Sequence, residues 1–115
     1  MTTSIPVEDY GHAVILKPKG ELTEDTLGAF REVVEHQLED DAVVDVIIDM
    51  DEITFVDSIV LEYLLDLQDS LQEKFGQVRL ARCDENIAKI MEMTRLDRVF
   101  EMFKETNDAV RVPGA

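Results

Sequence analysis

The stretch AVVDVIIDMDEITFVDSIVLEYLLDLQDSLQEKFG, residues 42–76, decides the fold. Its first part, AVVDVIID, is a nearly continuous β-branched run, the composition expected of a central strand covered on both faces. From about Ser58 to Phe75 the pattern changes: Leu61, Leu64, Leu65, Leu67 and Leu71 recur at helical spacing, and Gly76 is placed to cap the helix C-terminus. A buried strand leading into an amphipathic helix is the repeating unit of an α/β layer. At the seam stand two small polar residues, Asp57 and Ser58.

Working outward, the same alternation continues in both directions. Upstream, HAVILKPKG predicts a strand over residues 13–18, with an earlier one around Ile5 to Val7 hairpinned through Tyr10-Gly11-His12. TEDTLGAFREVVEHQLEDD follows as an amphipathic helix. Thr23 is its N-cap, Glu24 and Asp25 complement the dipole in its first turn, and Leu27, Phe30, Val34 and Leu38 form its inner face. Downstream, QVRLARC alternates as a half-buried strand, with Val78 and Leu80 set against Arg79. DENIAKIMEMT makes a helix behind Asp84 with Ile87, Ile90, Met91 and Thr94 inward. A short strand near Val99 and a short helix over 106–111 complete the series. Crossover connections of this kind predict an α/β fold of one domain, residues 1–115. Its mixed, largely parallel sheet of four to five strands is packed with about four α-helices.

The 115 residues carry 26 acidic against 11 basic side chains, a formal charge of −15. Like-charge repulsion sets such a chain against nucleic acid and against anionic membranes. No apolar run approaches the roughly 20 residues of a membrane span, and MTTSIPVEDY lacks the layout of a signal peptide, so a cytoplasmic location is expected. The single Cys83, at the end of an apolar strand, reads as a small core residue in a reducing compartment.

Enzyme signatures are sparse. There is no Gly-rich phosphate loop and no Gly-x-Ser-x-Gly, and His12 and His36 belong to no metal-ligand spacing. The expectation is a protein without catalytic residues, metal or cofactor. Asp49, Asp51 and Glu52 cluster just beyond the central strand, where open α/β sheets place their sites, and could either hold Mg²⁺ or form a solvated acidic loop. Ser58 also admits two readings. Its hydroxyl could cap the helix, or it could be phosphorylated, because a phosphate there would meet free N–H groups and the positive end of the dipole.

The strand ending in Asp49, the following DEITFVDS and the leucine-rich helix resemble the signature of the STAS domain, the family of bacterial anti-sigma factor antagonists. KGELTEDTLGAFREVVEHQL (19–38) and MEMTRLDRVFEMF (91–103) are similar to that family's second strand with first helix and to its stretch before the final helix. The resemblance implies that Ser58, directly after Asp57, is the residue phosphorylated by a partner that is both an anti-sigma factor and a serine kinase. A metal-dependent serine phosphatase restores it. The unmodified protein then binds the anti-sigma factor and frees a sigma factor, through a face comprising Asp57, Ser58, Ile59, Val60, Leu61, Glu62 and Thr23.

Two departures from the family pattern bear on that face. Val60 stands where the family has glycine and is expected to crowd the approach of a partner; Thr23 stands where an aspartate is common. These departures favour an alternative, a STAS module that scaffolds a signalling or transport complex without being phosphorylated. A third possibility is a small enzyme using the acidic cluster, or a receiver-like protein phosphorylated on Asp49 or Asp51. Its required lysine late in the sheet has no counterpart, since the late strands end in Arg82-Cys83 and near Phe100.

Overall fold

The computed structural model describes residues 5–111. Strands β1 (Val7–Asp9), β2 (Ala13–Leu16), β4 (Asp45–Asp49), β6 (Val78–Ala81) and β7 (Glu101–Phe103) form one sheet in the order β1-β2-β4-β6-β7. Only the β1–β2 hairpin is antiparallel; β2–β4, β4–β6 and β6–β7 are parallel. Strands β3 (Gly20–Leu22) and β5 (Ile53–Val56) pair with each other in a separate parallel ribbon. The helices are α1 (Glu24–Leu38), α2 (Ser58–Gln72), α3 (Glu85–Met93) and α4 (Thr106–Arg111).

Alternation along the strands sorts the core into two unequal layers. Val14, Leu16, Val46, Ile48, Val78 and Leu80 meet Phe30 and Val34 of α1, Leu64 and Leu71 of α2, and Ile87 and Met91 of α3 in one continuous cluster. On the opposite face Ala13, Ile15, Ile47 and Ala81 lie with Ala109 of α4. β4 is the middle strand, and all five of its residues are buried, as its β-branched composition predicts.

Several local expectations are corrected. The first strand begins at Val7 rather than at Ile5, β2 ends at Leu16, and the last strand lies two residues beyond Val99. The ribbon of β3 and β5 went unpredicted. Thr94 is exposed and ends α3, its hydroxyl donating to the Ile90 carbonyl at 2.7 Å. Arg79 does not alternate outward: it is fully buried, 3.1 Å from the equally buried Asp45.

At the end of α2 the left-handed residue is Phe75 (φ 65°), not Gly76. The Phe75 N–H reaches the Gln72 carbonyl and the Gly76 N–H the Leu71 carbonyl, which is the Schellman pattern. Gly76 is required for a different reason, because a Cβ on it would collide with the Val44 carbonyl at the entrance to β4.

Candidate functional site

The seam between β5 and α2 is built by Asp57. Its backbone N–H donates to the Leu22 carbonyl, tying it to β3, and its extended conformation makes it the N-cap of α2. One carboxylate oxygen, Oδ1, accepts the Val60 N–H at 3.0 Å. The other, Oδ2, accepts the N–H of Glu24, the first residue of α1, at 2.8 Å. One side chain thus caps two helices. These backbone hydrogen bonds, the Val60 N–H foremost, hold the Asp57 carboxyl below its ordinary pKa against the opposing effect of its partial desolvation.

Thr23, the α1 N-cap, lies beside this point. Its N–H donates to the Thr26 Oγ1, which in turn donates to the Glu21 carbonyl. The structure therefore brings Thr23 and Asp57 together from distant parts of the chain. The anion at the start of α1 comes from Asp57, so the absence of aspartate at position 23 leaves the α1 start capped.

Ser58 is the first helical residue and not the cap. Asp57 already performs the capping, so the exposed Ser58 hydroxyl stands outside the structural hydrogen bonding that the capping alternative would have assigned to it. Around it the surface is apolar and acidic: Ile59 is 40% exposed, Phe55 45% exposed, and Glu62 is exposed one turn on. No lysine or arginine occurs between Ile53 and Lys74. The cavity between α1 and the β2–β3 linker, lined by Pro18, Leu22, Ala29 and Phe30, does not reach this surface.

Val60 and Leu61 are corrected from the expected face. Val60 is fully buried and Leu61 nearly so, both within the main core cluster, because positions 60, 61 and 64 form the inner stripe of α2. Val60 therefore does not obstruct the approach to Ser58. Asp57, Ser58, Ile59, Glu62 and Thr23 remain as surface groups.

The acidic loop is neither solvated throughout nor open. Asp49 is almost buried and held in a fork by Arg82, Nε to Oδ1 at 3.1 Å and a terminal nitrogen to Oδ2 at 3.0 Å, while Asp51 lies 3.3 Å from the same guanidinium. Arg82 stands at φ 58°, and its pKa is raised mainly by the Asp49 hydrogen bond. Both oxygens of Asp49 are thereby engaged, unlike a receiver aspartate that must present one as nucleophile. Among the described residues no group of three or more His, Cys, Asp or Glu side chains is arranged to hold a metal ion. The Cys83 thiol is pushed up to about 11 chiefly by burial and is protonated at neutral pH. No described helix is long and apolar enough to cross a membrane.

Comparison with known proteins gives a consistent result. The family model described as the STAS domain matches residues 4–109. No curated protein matches the sequence. Among solved structures, a Thermotoga maritima protein described as a candidate anti-sigma factor antagonist is similar at TM-score 0.83 and 20% identity, over 92% of this chain and 91% of that one. The Bacillus cell fate determinant SpoIIAA in its phosphorylated form is similar at TM-score 0.71 and 18% identity, over 93% and 96%. The murine anion transporter Slc26a9 is similar at TM-score 0.74 and 18% identity; 90% of this chain is covered but only 18% of the transporter.

Proposed function

This chain belongs to the STAS domain family, and we propose that it is an anti-sigma factor antagonist switched by phosphorylation of Ser58. In its unmodified form it binds an anti-sigma factor that is also a serine kinase, and so releases a sigma factor. Phosphate on Ser58 ends the interaction, and a metal-dependent serine phosphatase reverses it. The protein acts by binding, not by turnover.

The observation that carries this function is the state of Ser58: an exposed hydroxyl on the first residue of α2, dispensable to a helix already capped by Asp57, beside the exposed apolar side chains of Phe55 and Ile59. A phosphate adds about −1.5 to −2 charges there. Asp57 and Glu62 are close in sequence on the same surface, with no cation in that turn to pair with it. A partner that packs on Phe55 and Ile59 would have to bury an unpaired dianion, which costs several kcal/mol, and each ~1.4 kcal/mol is tenfold in affinity.

The test is to incubate the chain with Mg²⁺-ATP and each anti-sigma kinase of its own cell, then map the phosphate by mass spectrometry. Modification at Ser58, lost in Ser58→Ala, supports the switch. A chain that stays unmodified while still binding such partners supports the second function, an unphosphorylated scaffold. The likeness to a segment of a much longer anion transporter favours that alternative.

A further inference from the structure

Phe75 is the most exposed large apolar side chain among the described residues, at 79%, and the fold gives no reason for it. The C′ position of a Schellman turn asks for φ above zero, which glycine or asparagine supplies with little strain and a bulky aromatic does not. Phe75 nevertheless occupies it at φ 65°. The adjacent glycine is committed to the close approach at Val44. A strained aromatic turned to solvent costs stability twice, through its backbone and through its hydration.

Beside Phe75 lies an open groove of about 290 Å³, whose other lining residues are Gln72, Gly76 and Gln77. Gln77 donates its Nε2 to Glu101 at 3.1 Å, which leaves its amide oxygen as an acceptor. The surroundings are acidic. Asp69 and Glu73 stand exposed at the C-terminal end of α2, where the dipole disfavours them; the exposed Lys74, between Glu73 and Phe75, offsets one of these charges. Asp40 and Asp41 are exposed in the loop leading to Val44, against which Gly76 is packed.

We propose that this groove is a second protein-docking surface, whose occupant is a basic segment presenting an arginine to the ring of Phe75. A guanidinium stacks on an aromatic face while its N–H groups reach amide and carboxylate oxygens, which is the set of groups collected here. A second copy of the chain is a poor occupant, since two molecules each at −15 repel. The 15 residues of α2 span about 22 Å, so this surface and Ser58 lie at opposite ends of one helix and can be occupied together. The surface is separate from the phosphorylated face and does not depend on it.

The experiment is an NMR titration of the full chain with a short Gly-Arg repeat peptide at low and high salt, repeated on Phe75→Gly and Phe75→Asn. Expected are shifts centred on Gln72, Phe75, Gly76 and Gln77, with Ser58 and Ile59 unmoved. Binding should weaken about tenfold in both variants, although each variant has a higher denaturation midpoint than the parent. Unchanged affinity in the variants, or shifts spread over all acidic surfaces, would overturn the proposal. So would concentration-dependent shifts of the same residues without peptide, which assign the groove to a second copy.

Discussion

At the scale of single residues, Asp57 carries the most consequence, because one carboxylate satisfies N–H groups at the start of α1 and of α2. Its folded-state pKa is depressed, so its contribution to stability is fully present above the unfolded value of about 3.9 and is lost as pH falls through the folded value. In urea titrations between neutral pH and about pH 3, Asp57→Asn is expected to show a flatter acid limb than the parent. Asp57→Ala should lower the midpoint at neutral pH more than Asn does, since asparagine keeps an acceptor oxygen for one of the helices. Val60 makes a contrasting case. With its side chain fully buried, Val60→Gly removes core volume and adds backbone entropy, and should cost ~2–4 kcal/mol by denaturant unfolding without accelerating modification of Ser58.

At the scale of elements, β4 and β6 share a costly feature. Arg79 and Asp45 are both fully buried, and the Nε and one terminal nitrogen of Arg79 find no hydrogen-bond partner among the described residues. Asp45→Ala leaves that guanidinium uncompensated and should destabilise the fold by about 3–5 kcal/mol, whereas Arg79→Met combined with Asp45→Leu should be nearly neutral or stabilising. Thermal and urea unfolding of the two variants checks this directly. The sequence shows Arg79 only as a polar residue between Val78 and Leu80; its partner lies 34 positions away, beyond the reach of periodicity. Distance in sequence also explains the missing ribbon, since Gly20–Leu22 and Ile53–Val56 are too short to declare themselves apart and are joined only in the fold. The three long helices were legible because each combines an apolar stripe with small polar residues at its start, Thr23, Asp57-Ser58 or Asp84; that Asp57 rather than Ser58 caps α2 shows only in the fold. Of the site, Ser58 and Asp57 stood out from the sequence. The bond from Glu24 to Asp57 did not, and neither did the inward turn of Val60, whose place on α2 follows from the helix register rather than from its neighbours.

At the scale of the whole molecule, the charge of −15 governs encounter. An acidic chain approaches a basic surface faster at low ionic strength, so on the proposed function the association rate with an anti-sigma partner should fall as salt rises from about 0.05 to about 0.5 M, while dissociation changes less. The same negative field would add to the effect of the proposed phosphate at Ser58, because no lysine or arginine lies in the first turn of α2 to screen it. Calorimetric titration of one anti-sigma kinase from its own cell against four forms of the chain tests the central claim most directly: unmodified, phosphorylated on Ser58, Ser58→Ala and Ser58→Glu. Tight binding of the unmodified and alanine forms, with affinity lost by about a hundredfold or more in the phosphorylated and glutamate forms, is the predicted result. Equal affinities across all four would contradict the switch.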